Sequence, residues 1–240
     1  MSQDAAAELA PTGVLRAAIN MSNFLLVSGT DSAGQPRGVA PDMAREIAAR
    51  LGVPVAYVPF ASPGELADKA GQDVWDIGLI GAEPSRAEKI RFTTAYVEIE
   101  ATYLVPAGSP LRTIAEVDRE GIRIAVNARS AYDLWLTRHI TRARLVRAEG
   151  LDGAFRLFRD EGLDALAGLR PGLIANLEEL PGARVLDGRF TAVQQAVGTA
   201  MGNAAGAAFL QAFVDEAKAG GLAQRLIDRH GVRGLAVAPR

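Results

Sequence analysis

The sequence predicts an α/β protein built from two lobes. Short apolar segments alternate with amphipathic helical patterns along nearly the whole chain, an order typical of mainly parallel sheets with helices on their faces. The chain has 240 residues, of which 49% are hydrophobic and 22% charged, which suits one large domain or two small lobes. Two series of strand–helix units favour two lobes, each a mainly parallel sheet flanked by helices.

The composition excludes several classes of function. A net charge of −2 gives no reason to expect nucleic acid or an anionic membrane as the partner. No segment approaches the roughly 18 apolar residues of a membrane span. With no cysteine, and with only His139 and His230, a disulfide framework and a thiolate or multi-histidine metal site are not expected. We expect a monomer without metal or cofactor.

The first lobe opens with a strand over residues 14–20, which is followed by an amphipathic helix. Met43, Ile47 and Leu51 recur at a spacing of four, which places them on one buried face of this helix. Gly52 follows them at the position where a left-handed residue ends a helix.

A second strand is predicted over residues 53–59, and a third over 74–80. Between them, Ser62 and Glu65 have the spacing of a capping box. Pro63 stands at the favoured first helical position. These signals predict a helix that begins directly after Ser62.

The segment after the third strand contains an unusually placed cation. Ser85 and Glu88 have capping-box spacing and predict a helix start. Arg86 would then lie in the first turn, where the positive end of the helix dipole disfavours a cation by roughly 0.3–1 kcal/mol. An arginine placed against this field indicates an anion site, and the alternative is a solvated surface arginine.

The second lobe repeats the alternation of strands and helices. Its predicted elements are an extended stretch 98–105, a short helix capped by Thr113 and Glu116, a strand 122–126, a helix begun by Ser130, a strand 144–147, a helix 151–159, a strand 163–166, a helix opened by Arg170 and Pro171, and extended stretches 183–186 and 193–199. The chain should then return to the first lobe and end in long helices between about residues 204 and 230. The predicted lobes are 1–97 with 196–240, and 98–195.

Three arginines stand at predicted strand-to-helix junctions. They are Arg86, Arg129 before the Ser130 cap, and Arg170 before Pro171. In open α/β sheets, ligands bind at the carboxyl ends of strands, near helix N-termini. The planar guanidinium matches a carboxylate with two parallel hydrogen bonds. The three together predict an anion-binding crevice, although Arg129 and Arg170 could each instead form a surface ion pair.

Three segments carry a resemblance to a known family. They are Gly38–Ala44, Arg86–Tyr96 and Gly162–Ala165, which stand where the family has a Gly-Phe-Asp-x-Asp-Leu-Ala helix start, an Arg…Phe-Ser-x-Pro-Tyr element and Gly-x-x-Asp-Ala. Over nearly its whole length the chain resembles the family 3 extracellular solute-binding proteins of ABC transporters, which have the type 2 periplasmic binding fold. The resemblance implies a non-enzymatic binder with a ligand cleft between its lobes and a transporter membrane component as its partner.

The resemblance also implies a set of binding residues. Arg86 takes the role of the arginine that grips an α-carboxylate, and Ser130 stands for the hydroxyl and N–H of the turn that supports it. The remaining candidates lie after the first strand, after the third strand, and around the caps of the second lobe: Asn20, Asn23, Phe24, Gly81, Ala82, Glu83, Arg129, Tyr132, Leu169 and Arg170.

Two positions depart from the family pattern. The acidic residue that receives the α-amine is replaced by Leu169, which Arg170 follows, and Arg129 stands for the usual glycine of the supporting turn. A buried ammonium without a carboxylate or carbonyl partner is costly. Glu83 or Asp133 could instead receive the ammonium. We therefore expect a solute with at least one carboxylate, and the departures count against a standard α-amino acid.

Two other functions stay open. Proteins resembling this family include a dehydratase that makes phenylpyruvate from a cyclic acid, for which Glu83 is the candidate general acid. A cytosolic small-molecule sensor is the third reading. Residues 1–7 lack a basic region followed by an apolar stretch. We therefore expect a periplasmic protein if a signal was removed, and a cytoplasmic one if the chain is complete as written.

Overall fold

The structure is a computed structural model that describes residues 2–239. It has a mixed α/β fold, which confirms the predicted fold class. The chain divides into two compact units. The first unit contains the residues up to Glu98 and from Gln194 onward, and the second contains Ile99–Val193.

Between Ser2 and Glu98, the described part of the chain forms four helices and six strands. They are α1 (Ser2–Leu9), β1 (Leu15–Asn20), β2 (Gly29–Thr30), β3 (Pro36–Arg37), α2 (Val39–Leu51), β4 (Val55–Phe60), α3 (Pro63–Asp68), β5 (Ile77–Gly81), α4 (Pro84–Ala87) and β6 (Ile90–Phe92).

Strand β7 (Val97–Val105) carries the chain into the second unit. The elements that follow are a 3₁₀ turn (Ile114–Glu116), β8 (Arg123–Asn127), α5 (Ala131–His139), β9 (Arg144–Ala148), α6 (Leu151–Asp160), β10 (Ala165–Leu169), α7 (Arg170–Asn176), a 3₁₀ turn (Leu177–Glu179) and β11 (Arg184–Val185). Strand β12 (Thr191–Ala200) brings the chain back, and α8 (Ala204–Ala219), α9 (Leu222–His230) and β13 (Ala236–Val237) complete the first unit.

The sheet of the first unit has a parallel core. Strand β1 runs parallel to both β4 and β5, and β12 is antiparallel to β5, with Gln195 opposite Gly81. Because β1 and β5 are parallel neighbours, their carboxyl ends, Asn20 and Gly81, lie at the same edge. This edge is where ligands bind in open α/β sheets.

The sheet of the second unit is built in the same way. Strand β8 is parallel to β9 and to β10, while β7 is antiparallel to β10 and to β11. The carboxyl ends of β8 and β10 therefore share an edge. Arg129 and Arg170 follow these two ends.

Helix α2 shows how the predicted periodicity positions an element. Met43, Ile47 and Leu51 are all buried in the core of the first unit, as their spacing predicts. Gly52 ends the helix in the left-handed conformation, with φ of 76°. Gly38 precedes the helix, and a Cβ there would lie 2.2 Å from the carbonyl oxygen of Leu26.

Most of the predicted helix starts are confirmed. The hydroxyl of Ser62 accepts the N–H of Glu65 at 3.2 Å, at the start of α3. The hydroxyl of Ser130 accepts the N–H of Asp133 at 3.1 Å, at the start of α5. The predicted capping box of Thr113 and Glu116 is also present, although it caps only a 3₁₀ turn.

The capping box predicted at Ser85 and Glu88 is wrong. Helix α4 begins at Pro84 with Glu83 as its N-cap, makes no side-chain cap bond, and reaches its C-cap at Glu88. Proline takes the first helical position because its φ is fixed and it has no N–H to satisfy. Since α4 is only four residues long, the dipole argument for an anion at Arg86 loses its basis, and Arg86 must be judged from its contacts.

Candidate functional site

Arg86 is a buried arginine that the structure holds in a defined direction. Only 6% of the residue is exposed, and its Nη1 donates to the carbonyl oxygen of Gly81 at 2.7 Å. Gly81 is itself fixed as the last residue of β5, opposite Gln195 on β12. The guanidinium is therefore oriented by the carboxyl end of β5 before any ligand binds. A planar, preorganised fork of this kind suits a carboxylate.

The main chain around Arg86 is engaged in building this end of the sheet. The N–H of Ala82 donates to the carbonyl of Gln194 at 2.7 Å, and the carbonyl of Glu83 accepts the N–H groups of Arg86 and Ala87, each at 2.9 Å. Together with the Gly81 carbonyl, these bonds fix the segment. That Gly81 and Ala82 also contact a ligand, and that Glu83 takes part, stay predictions.

The loop after β1 is tied together by its asparagines. Oδ1 of Asn20 accepts the hydroxyl of Ser22 at 2.7 Å, and Oδ1 of the buried Asn23 accepts the N–H of Leu25 at 3.2 Å. Phe24, which directly follows Asn23, is 43% exposed. Asn20 ends β1 and Gly81 ends the neighbouring β5, so the loop follows the edge that carries Gly81.

In the second unit, Arg129 occupies an unusual backbone conformation at the turn between β8 and α5. Its φ is 60°, in the left-handed region that normally favours glycine. Its N–H donates to Oδ2 of Asp133 at 2.8 Å. Ser130, the next residue, is buried and caps α5.

The carboxylate of Asp133 is buried and bonded within this turn, so it is not accessible to a ligand amine. The residue is only 3% exposed. Besides the N–H of Arg129, its carboxylate accepts Nε of Arg147 at 2.9 and 3.2 Å. Sequence reasoning missed Arg147 because it lies on β9, and only the parallel pairing of β8 with β9 brings it to this turn. The possibility that Asp133 receives an ammonium is therefore not supported.

Tyr132 lies in the core of the second unit, among the buried side chains beneath the Ser130 turn. Burial raises the pKa of its phenol to about 12, although hydrogen bonds with the side chains of Ser130 and Asn127 oppose this shift. The phenol is therefore neutral at physiological pH and supports the turn from within. A ligand contact by Tyr132 stays a prediction.

Arg170 has partners within its own unit. It is the first residue of α7, and its Nε donates to the carboxylate of Glu100 at 2.8 Å. Its two terminal nitrogens donate to the carbonyls of Leu186 and Gly188. Leu169 pairs with Ala101 in the sheet. These contacts fit the ion-pair alternative for Arg170, so we give it no part in the core of the site.

Within residues 2–239, no group of three or more His, Asp or Glu side chains is arranged to hold a metal ion. Over the same residues, no helix has the length and apolar character needed to cross a membrane.

Comparison with known sequences gives one clear result. The profile of the bacterial extracellular solute-binding proteins, family 3, matches residues 16–232. No curated protein gives a significant match.

Solved structures show the same fold. The solute receptor for L-cysteine of Neisseria gonorrhoeae is 21% identical, with a TM-score of 0.77 and coverage of 96% of this chain and 95% of that one. An amino acid ABC transporter substrate-binding protein from Streptococcus pneumoniae, bound to L-arginine, is 17% identical, with a TM-score of 0.75 and coverage of 98% and 99%. An ancestral amino acid-binding protein, a precursor of cyclohexadienyl dehydratase, is 19% identical, with a TM-score of 0.74 and coverage of 92% and 97%.

Proposed function

Because the chain belongs to the bacterial extracellular solute-binding proteins of family 3, we propose that it captures a small carboxylate-bearing solute for an ABC-type transporter. The function is binding without chemical turnover. The name of the family supports a place of action outside the cytoplasm, and the partner would be the membrane component of the transporter.

Arg86 is the observation that carries the carboxylate part of this proposal. The guanidinium is buried and its direction is fixed, so a carboxylate that reaches it can accept two parallel hydrogen bonds from a planar fork. Charge-assisted bonds of this kind are short and strong. The 2.7 Å bond to Gly81 supplies the orientation that such recognition needs.

Ser130 and its turn would provide further donors from the second unit. The turn is fixed by the Asp133 contacts, so donors there need no reordering on binding. A solute that contacts groups of both units would shift the population toward a closed form. We propose that the two units act as the two lobes of such a binder.

The ammonium group of an amino acid receives less support. The structural neighbours include amino acid-binding proteins, but at their level of identity the likeness concerns the fold. Asp133 is engaged with Arg147, and Leu169 and Arg170 stand where the resemblance places an acidic residue. We therefore propose a carboxylate-bearing organic acid ahead of a standard α-amino acid.

A dehydratase activity is the alternative to solute binding and has less support. One structural neighbour is a precursor of such an enzyme, yet that neighbour is itself an amino acid-binding protein. No contact of Glu83 described above favours a role as general acid.

A thermal-shift screen of organic acids and amino acids tests the proposal. We expect at least one carboxylate to raise the unfolding temperature, and Arg86→Ala to weaken its binding by at least about tenfold, because a charge-assisted bond contributes roughly 1.5–3 kcal/mol. Arg91→Ala is the matched control, since Arg91 is an exposed arginine on β6. Arg86→Lys keeps the charge and removes the planar fork. The proposal fails if no carboxylate stabilises the wild type, or if the two alanine variants respond alike.

A further inference from the structure

We propose that the outer edge of strand β9 binds an extended, acidic segment of a partner protein, which adds to the sheet of the second unit as a further strand. The main-chain groups of the edge supply the pairing, and the arginines beside it select carboxylates. The proposal goes beyond solute capture and holds whichever solute the protein binds.

Strand β9 is an edge strand of the second unit, since among residues 2–239 it pairs with β8 alone. The N–H of Arg144 and the carbonyl of Ala148 bond to the main chain at the two ends of β8, at 2.8 and 2.9 Å. In a parallel pair only alternate residues of a strand bond to a given neighbour. Leu145 and Arg147 therefore direct their N–H and C=O groups away from β8, where no other part of the described chain pairs with them.

The outer edge of β9 is accessible and carries no proline. No residue of β9 is buried, whereas the last four residues of β8 are. The edge strand of the first unit, β4, differs in this respect. The carbonyl of Phe60 bonds towards β1, so Pro59 faces outward and hinders the addition of another strand. The edge of β9 has no such block.

The segment that contains β9 is strongly basic. Residues 138–148 include four arginines and no acidic residue, and Glu149 follows just beyond the strand. Arg142, Arg144 and Arg147 are exposed. Arg147 pairs with a buried aspartate, whereas the side chains of Arg142 and Arg144 have no hydrogen-bond or ion-pair partner in the described part of the chain. The edge therefore carries positive charge that an acidic partner would neutralise.

Arg144 also lies beside a second arginine. The parallel register places it next to Arg123 on β8, and like charges at directly paired positions are unfavourable. Arg123 has Asp164 as its ion-pair partner. A carboxylate that arrived at Arg144 would reduce this repulsion and accept hydrogen bonds from its planar fork.

The chemistry of the edge favours a peptide over other anions. A strand edge presents donors and acceptors in alternation, which an extended peptide matches with its own C=O and N–H groups. Phosphates of a nucleic acid or a lipid surface offer acceptors only, so the carbonyls of Leu145 and Arg147 would stay unpaired. A second copy of this chain would place its own β9 arginines against these, and like charges disfavour that pairing.

Titration calorimetry with three short blocked peptides tests the proposal. In the first peptide glutamate alternates with valine, in the second lysine replaces each glutamate, and in the third proline replaces each valine. We expect the first to bind at least about tenfold more tightly than either of the others. Only the first peptide combines carboxylates with the main-chain groups of a strand.

A charge reversal at the edge tests the role of the arginines. Arg144→Glu should weaken binding of the first peptide by at least about fivefold. Its unfolding temperature should stay equal or rise, because the new carboxylate lies beside Arg123. The matched control is Arg112→Glu, an exposed position of the same unit whose neighbour Leu111 accepts a bond from Arg184 on β11. This control should change the affinity by less than about twofold.

Hydrogen exchange followed by NMR locates the contact. When the first peptide is bound, the amide hydrogens of Leu145 and Arg147 should exchange at least about tenfold more slowly. The proposal is overturned if this peptide does not bind, if the lysine or proline peptide binds as tightly, or if the two amides exchange at unchanged rates. If no peptide binds and Arg144→Glu makes the protein self-associate, the arginines serve only to keep such edges apart, and the proposal is again overturned. Solute capture by Arg86 stands or falls separately.

Discussion

Arg86 and Arg170 show that two arginines at similar strand-to-helix junctions can have different contacts. Both follow the carboxyl end of a strand, and both were predicted to face a ligand. The guanidinium of Arg86 is buried and oriented by Gly81, five residues earlier in the sequence. Arg170 is held by Glu100, which is 70 residues away. A sequence pattern shows which residues are close along the chain, but not which distant residues the fold brings into contact. The sequence alone therefore does not distinguish the three arginines.

Gly38 gives a prediction about backbone space. Its φ is 143°, and a Cβ would lie 2.2 Å from the Leu26 carbonyl oxygen and 2.8 Å from the Cα of Val27. Both are main-chain atoms, so the clash cannot be relieved by a side-chain rotation. We expect Gly38→Ala to lower the free energy of unfolding by at least about 2 kcal/mol. Gly202→Ala, which meets no atom within 4 Å, should change it by less than about 0.5 kcal/mol in the same chemical denaturation; equal effects would contradict the account.

Asp118 gives a prediction about pH. Partial burial alone would raise its pKa, but hydrogen bonds from the N–H groups of Ala143, Arg142 and Thr141 outweigh this and lower the pKa from 3.8 to about 2. The ionised carboxylate is therefore favoured in the folded protein, and its contribution is fully present above the unfolded value of 3.8.

We expect Asp118→Ala to destabilise the protein by about 1–2 kcal/mol at neutral pH, because several donors lose their acceptor. The difference from the wild type should shrink as the pH falls from 3.8 towards 2, where the folded-state carboxyl becomes protonated. Urea denaturation at several pH values measures this. A difference that grows on acidification would show that the hydrogen bonds do not favour the ionised form.

At the scale of elements, helix α1 is held to α8 by specific contacts. Oε2 of Glu8 accepts the N–H of Gly206 at 2.7 Å, at the start of α8. Leu9 is fully buried, and a Cβ at Gly206 would lie 2.7 Å from its side chain. The family profile begins only at residue 16, so α1 lies outside the matched part of the chain.

We expect Leu9→Ala to destabilise the first unit by about 2–5 kcal/mol, the usual range for emptying a buried leucine site. Ile174→Ala, at a residue that is 52% exposed, should cost less than about 0.5 kcal/mol. Thermal denaturation followed by circular dichroism compares the two. If Leu9→Ala were as mild as its control, α1 would not be part of the core.

Elements were predictable from the sequence where periodicity and caps agreed. Helix α2 has both an apolar spacing of four and a terminal glycine, and its face and end are confirmed. For helix α4 the Ser85–Glu88 spacing predicts the wrong start, because Pro84 takes the first helical position. Helix α1 was not predicted, since its short alanine-rich segment depends on packing against α8 rather than on its own pattern.

At the scale of the whole molecule, the account predicts a change of compactness on binding. A solute that bridges the two units should shift their population toward a closed form. We expect small-angle scattering to show a smaller radius of gyration when a stabilising carboxylate is added, and no change for Arg86→Ala at the same concentration. A radius that stays constant while the solute binds tightly would mean that binding does not join the units.

The candidate site was predictable only in part, for a reason of scale. Short local patterns single out Arg86 and Ser130 as candidates, and their contact with a solute stays a prediction. The engagement of Asp133 by Arg147 depends on the pairing of β8 with β9. The left-handed backbone of Arg129 is likewise set by the fold. The one sequence signal for it is that Arg129 stands where the family pattern has a glycine.

Titration calorimetry tests the central claim most directly. It compares the wild type, Arg86→Ala and Arg91→Ala, each titrated with the carboxylate that stabilises the protein most. The account predicts one solute per chain for the wild type and for Arg91→Ala, with affinities that agree within about threefold. It predicts a loss of at least about tenfold for Arg86→Ala. Equal affinities for all three proteins would contradict the assignment of Arg86, and no binding of any carboxylate to the wild type would contradict the function.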